Sequence, residues 1–172
     1  LSWAEIKAHS IHVSTALVKR YGFQTGETVA LFSPNNIWYP VAMHAVTRVA
    51  GVVSGASPAY NVEEMAYALE KGRAKFLMTV PSSMDVAVAA AEKAGLSKDH
   101  VFMLEGTLEG YKNLQDLIEI GKSYGEEGQI ASYQIPKGKT NGELCGFLSF
   151  SSGTTGLPKA VCFPADAYLR KY

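Results

Sequence analysis

The sequence predicts an α/β domain, doubly wound around a mainly parallel sheet. Three observations carry this. Short β-branched and aromatic runs alternate with helical patterns of about ten to fifteen residues, the signature of βαβ units. An apolar content of 47% and a charged content of 19% suit a globular α/β chain. A length of 172 residues is enough for one domain with a real core. Sixteen basic and sixteen acidic residues cancel, so no broad field favours nucleic acid or an anionic membrane surface. No apolar run approaches the roughly twenty residues of a membrane span. A nucleotide site in this chain must therefore be local.

The elements follow in order. Ser2 and Glu5 have capping-box spacing and open a first helix, with Trp3, Ile6, Val13, Leu17 and Tyr21 near one face. His9 and His12 sit three apart on it with no third ligand nearby, and read as ordinary helix histidines rather than a metal pair. Val29 to Phe32 is a strand, and Ser33-Pro34-Asn35 a turn and helix start. Ile37, Trp38, Val41, Ala45, Val46 and Val49 form the next apolar face, Trp38 being read as core. Val52-Val53 begins an extended piece broken at Ser57-Pro58. Glu63 to Lys71 is a helix with Gly72 as its left-handed end residue. Lys75 to Val80 is a strand, Pro81 to Ala94 a helix stopped by Gly95, and Val101 to Leu104 a strand. Leu114, Leu117, Ile118 and Gly121 mark a last helix with Asn113 as cap. From Tyr124 to Glu143 the chain turns polar and aperiodic, a connection long enough to suggest a function or mobility of its own.

The chemistry gathers near the end. An apolar run, Cys145 to Phe150, stops at Ser151-Ser152-Gly153-Thr154-Thr155-Gly156-Leu157-Pro158-Lys159, and a second apolar run begins at Ala160-Val161. The block between them has little side-chain bulk, many backbone N–H groups, the hydroxyls of Ser151, Ser152, Thr154 and Thr155, and the charge of Lys159. Close-approaching donors and one cation are what a polyphosphate needs. A Walker loop is excluded, because the fifth residue after Gly153 is Pro158, and a proline leading into Ala-Val-Cys-Phe favours a strand over a helix. The site is thus expected to be strand–loop–strand. Cys145 and Cys162 flank the loop and are read as packed thiols of a reducing compartment rather than a disulfide.

This nine-residue string resembles the phosphate loop of the adenylate-forming enzymes, and its paired serines and Leu-Pro-Lys look most like the 4-coumarate–CoA ligase and luciferase branch. Leu31-Phe32-Ser33-Pro34-Asn35-Asn36, Arg48 to Val53, and Ser57-Pro58-Ala59-Tyr60 are similar to segments found upstream in that family, in the same order. The resemblance implies an acyl-CoA synthetase chemistry: a carboxylic acid and ATP give an acyl-adenylate and pyrophosphate, and coenzyme A then takes the acyl group. It implies Ser151, Ser152, Gly153, Thr154 and Thr155 on the phosphates, Gly156 for the turn, and Lys159 as the charge at the loop's far end. Mg²⁺ is expected with the ATP.

It also implies what lies elsewhere. In the family the adenine and ribose contacts, the metal-binding glutamate, the acyl pocket and a small C-terminal domain with the catalytic lysine all follow this loop. Residues 1–172 are therefore expected to be one α/β domain, a fragment of the N-terminal AMP-binding domain, with no catalytic residue and no metal ligand, and inactive without the rest of the chain; the start at Leu1 rather than Met agrees. Two positions depart from the family pattern. Ala160 stands where a glycine is usual, and Cys162-Phe163-Pro164-Ala165-Asp166 replaces a Ser/Thr-His pair. A standalone phosphate- or nucleotide-binding module without catalysis, and a structural domain with a Gly/Ser linker, are the alternatives. A cytoplasmic or peroxisomal location is expected, and the residues present do not name the acid or the oligomeric state.

Overall fold

The computed structural model describes residues 1–151 and 158–165. Seven strands form one sheet in the order β5-β4-β3-β1-β2-β6-β7. β1 (Thr28–Phe32) lies between β2 (Val52–Ala56) and β3 (Ala74–Thr79); β4 (Val101–Met103) and the two-residue β5 (Lys112–Asn113) continue one flank, and β6 (Cys145–Ser151) and β7 (Lys159–Pro164) the other. All neighbours are parallel except β7, which runs antiparallel to β6 at the edge.

Strand side chains alternate between two helix layers, as the pleat requires. Val29, Leu31, Val53, Phe76, Met78 and Phe102 face α1 (Trp3–Tyr21), α2 (Tyr39–Arg48) and α5 (Leu114–Lys122). Ala30, Phe32, Ala56, Leu77, Val101 and Met103 face α3 (Val62–Gly72) and α4 (Met84–Lys93). The doubly wound reading holds, with an antiparallel edge strand added.

Capping sets the helix starts. Ser2 Oγ accepts from the Glu5 N–H at 3.3 Å, while Glu5 Oε2 accepts from the Ser2 N–H at 2.7 Å and from the Ser2 hydroxyl at 2.9 Å; the two bonds donated to the carboxylate hold it below its usual range. Asn61/Glu64 and Asn113/Asp116 repeat the device on α3 and α5. Four sequence readings are corrected. Trp3, placed on the buried face of α1, is 69% exposed, its ring edge-on to His44. α2 begins at Tyr39 rather than just after Asn35, because the Asn36 side chain captures the Trp38 N–H at 2.7 Å and holds a turn there. Ile37, counted on the apolar face, is consequently exposed, and Trp38 is half-buried against the core and the His9 ring. Gly72 is the last helical residue of α3, and the left-handed position falls on Arg73 (φ 49°).

The long connection after α5 is pinned across the α1–α2 layer. Gln129 donates to the carbonyls of Gly121 and Gly125 and accepts from Thr15 Oγ1. The Ile130 N–H reaches Thr15 Oγ1 and the Tyr133 N–H reaches the Arg48 carbonyl at 2.8 Å. Its length has a geometric cause: it carries the chain from α5, beside β4 and β5, over two helices to β6 beyond β2.

Gly121 lets α5 close on α1. A Cβ there would overlap the backbone carbonyl of His12, so the helices would have to separate. Gly121→Ala is expected to destabilise the fold by about 1–3 kcal/mol, read as a lower midpoint in urea unfolding.

Candidate functional site at the carboxyl edge of the sheet

In open α/β sheets ligands meet the protein outside the carboxyl ends of the strands. Here Phe32, Ala56, Thr79 and Ser151 end parallel strands on that one edge. The turns leaving it are Ser33-Pro34-Asn35, Ser57-Pro58-Ala59-Tyr60 and Val80-Pro81. Thr79 Oγ1, fully buried, donates to the Phe32 carbonyl at 2.8 Å and ties two of the strand ends together. Ser33 Oγ donates to the Pro34 carbonyl at 2.7 Å.

The string singled out by sequence leaves from this edge. β6 brings it there by pairing parallel to β2, Val53 opposite Phe147 and Ser54 opposite Leu148. β7 takes it away, with Ser151 opposite Lys159. Strands flank the string on both sides, as expected, and Ser151 and Lys159 stand together, both exposed, where the two strands meet at this edge. Ser152, Gly153, Thr154, Thr155 and Gly156 lie outside the described residues, as does Asp166. Among the described residues no carboxylate pairs with Lys159; the ion pairs are Glu27–Lys75, Glu63–Lys93 and Glu119–Lys122.

Two features of the hairpin and its surroundings differ from the sequence reading. The first is Tyr67 on α3, whose hydroxyl donates to the Pro158 carbonyl at 3.1 Å. Beneath that bond lies a cleft of about 310 Å³ walled by Tyr60, Tyr67, Phe150 and Pro158, with Glu63 and Lys93 at its side. Tyr67 carries no sequence signal, since a tyrosine flanking a helix face is ordinary. The second is a disulfide between Cys145 and Cys162, Cα atoms 5.9 Å apart, which overturns the reading of two packed thiols. The antiparallel β6–β7 pairing brings the two within bridging range, and a sequence separation of 17 does not reveal that. The bridge crosses the hairpin that carries the loop, near the end away from it.

Among the described residues no three His, Cys, Asp or Glu converge. His9 packs on Trp38 and His12 Nδ1 meets Gln129 Oε1 at 3.2 Å, so they share nothing.

A doubly wound, mainly parallel sheet, with β6 and β7 setting Ser151 opposite Lys159 at its carboxyl edge, is the frame on which any ligand site of this chain is built. The chain belongs to the AMP-binding enzyme family, whose model matches residues 1–172. It is 27% identical over 163 residues to the acyl-CoA ligase azaF of Aspergillus niger, covering 95% of this chain and 30% of that protein. It is 33% identical over 149 residues to the probable CoA ligase CCL9 of Humulus lupulus, covering 86% and 26%. In fold it is similar to a red-emitting luciferase of Phrixothrix hirtus, with a TM-score of 0.82 at 20% identity over 94% of this chain and 30% of that one. The chain spans under a third of the length of these relatives.

The bridge closes a loop of 17 residues, worth about 3 kcal/mol in the chain-entropy account. Cys162→Ser, or dithiothreitol on the parent chain, is therefore expected to loosen the hairpin, seen as faster amide exchange in β6 and β7 with α1 and β1 unchanged. Mass spectrometry after alkylation checks that the thiols are paired before reduction and free after it.

Proposed function

We propose that this chain is part of the large AMP-binding domain of an ATP-dependent acyl- or aryl-CoA ligase, and that residues 151–159 are its phosphate loop. The observation that carries the reading is the family match over residues 1–172; strands β6 and β7, which set Ser151 opposite Lys159 beside the parallel strand ends, support it.

The chemistry is an in-line displacement. A carboxylate oxygen of the acid attacks the α-phosphorus of ATP, the bond from that phosphorus to the bridging oxygen breaks, and pyrophosphate leaves with the electron pair. The protein's task is to neutralise charge growing on the β- and γ-phosphates. Backbone N–H groups of the Ser151–Gly156 stretch and the hydroxyls of Ser151, Ser152, Thr154 and Thr155 are the donors assigned to them, and Lys159 is the cation at the far end. Coenzyme A then takes the acyl group as a thioester, releasing AMP. The relatives include an anthranilate CoA ligase solved with anthranoyl-AMP, at 21% identity, which agrees with an adenylate-forming fold. Mg²⁺ belongs with the nucleotide; the described residues offer it no cage of their own, and no step above passes through it.

The rest of the active site is assigned to sequence beyond this chain, since the relatives are more than three times as long. The chain alone is expected to hold a polyphosphate without turning over. No helix among the described residues is long and apolar enough to cross a membrane. The cytoplasm or the peroxisome is the proposed location; one relative is a peroxisomal OPC-8:0-CoA ligase of Arabidopsis thaliana.

The test is ATP–pyrophosphate exchange by the intact protein that carries this chain, with panels of aromatic and fatty acids. Exchange dependent on one acid class is expected, and its absence with every acid would leave only phosphate binding. Lys159→Ala is expected to lower kcat/KM for ATP by about 1.5–3 kcal/mol, roughly 10- to 150-fold, the range for a charge-assisted hydrogen bond. Unchanged exchange would remove Lys159 from the mechanism.

A further inference from the structure

We propose that Tyr67 is a positioning residue of the loop site, acting through Lys159. The proposal rests on the reading of residues 151–159 as a phosphate loop. Its phenol oxygen donates to the carbonyl of Pro158 at 3.1 Å, and that carbonyl belongs to the peptide plane that also carries the Lys159 N–H. Proline has no N–H of its own and its φ is fixed, so this carbonyl is the one polar backbone group at Pro158 by which the loop exit can be held.

The post is rigid. α3 has a full capping box at Asn61 and Glu64 and buries Met65, Ala66, Ala68 and Leu69 against the sheet. Tyr67 lies half-buried on its flank, with Lys71 Nζ 5.5 Å from the ring centre. The loop entrance is fixed independently, since β6 is laddered to β2 on one side and to β7 on the other. Ser151 and Lys159 are ladder partners. Holding Pro158 from α3 therefore ties the cation at the far end of the loop to the helix layer as well as to the hairpin. A hydroxyl reaching 91 residues along the chain fixes where the charge begins.

Tyr67→Phe removes the donor and keeps the ring, so it separates the bond from the packing. The first measurement is amide hydrogen exchange on the ligand-free chain. Residues 159–161 are expected to exchange about 2- to 12-fold faster in the variant, the span of one ordinary hydrogen bond, while α3 and β1 stay unchanged. The second is a cycle of Tyr67→Phe and Lys159→Ala in ATP–pyrophosphate exchange by the intact protein. Tyr67→Phe alone is expected to lower kcat/KM for ATP by a similar factor and to add nothing once Lys159 is gone. Unchanged exchange at 159–161, acceleration spread through α3 and the core, or additive effects in the cycle would each overturn the positioning role. Absence of pyrophosphate exchange in the parent protein would instead refute the ligase reading, and the amide measurement alone would then decide whether Tyr67 holds the loop exit.

Discussion

β1 is buried along its whole length, sending Val29 and Leu31 into one helix layer and Ala30 and Phe32 into the other. That double burial is the constraint behind the rest of the molecule. A parallel strand covered on both faces needs crossover helices on both; α2, after β1, packs in one layer and α3, after β2, in the other. The crevice they leave behind is where a ligand can reach backbone groups that the sheet does not use. The hairpin β6–β7 enters the same edge because β6 adds to β2 in parallel. The loop's location is a property of the sheet before it is a property of the loop.

Much of this architecture was legible in the chain itself. Alternating runs and helical patterns identified the strands and helices, and Ser2, Glu5 and Asn113 marked two helix starts that the structure confirms. The misses share a physical origin. At Asn36 a side chain satisfies a backbone N–H and delays α2, a local competition that periodicity does not register. At Arg73 tertiary packing outweighs the local preference for glycine, since Gly72 is buried near Ser54 while the left-handed turn falls one residue later. β5 is two residues long and exists through its pairing with β4, so no pattern within it could reveal it.

The site divides in the same way. The proposed phosphate-binding residues were legible because they are contiguous in the chain, as a local loop would be. The frame of the site was not, because Tyr67 and Pro158, or Cys145 and Cys162, meet only after strands from distant parts of the chain have paired. The bridge also bears on the proposed location: cytosolic disulfides are uncommon and usually transient, so a reducing compartment would work against the Cys145–Cys162 bridge.

The register of β6 has a further bearing on how the molecule assembles. Five residue pairs join β1 to β2, while two join β2 to β6. Bringing β6 to β2 also closes a loop of some ninety residues, and closure entropy of that kind is paid before the contacts reward it. Packing α5 on α1 closes a loop just as long, from His12 to Gly121, so what sets the hairpin apart is its short ladder to β2, which lets it open locally while the body from α1 to α5 stays closed. Partial unfolding from that edge would silence the site while the five-strand body stays intact.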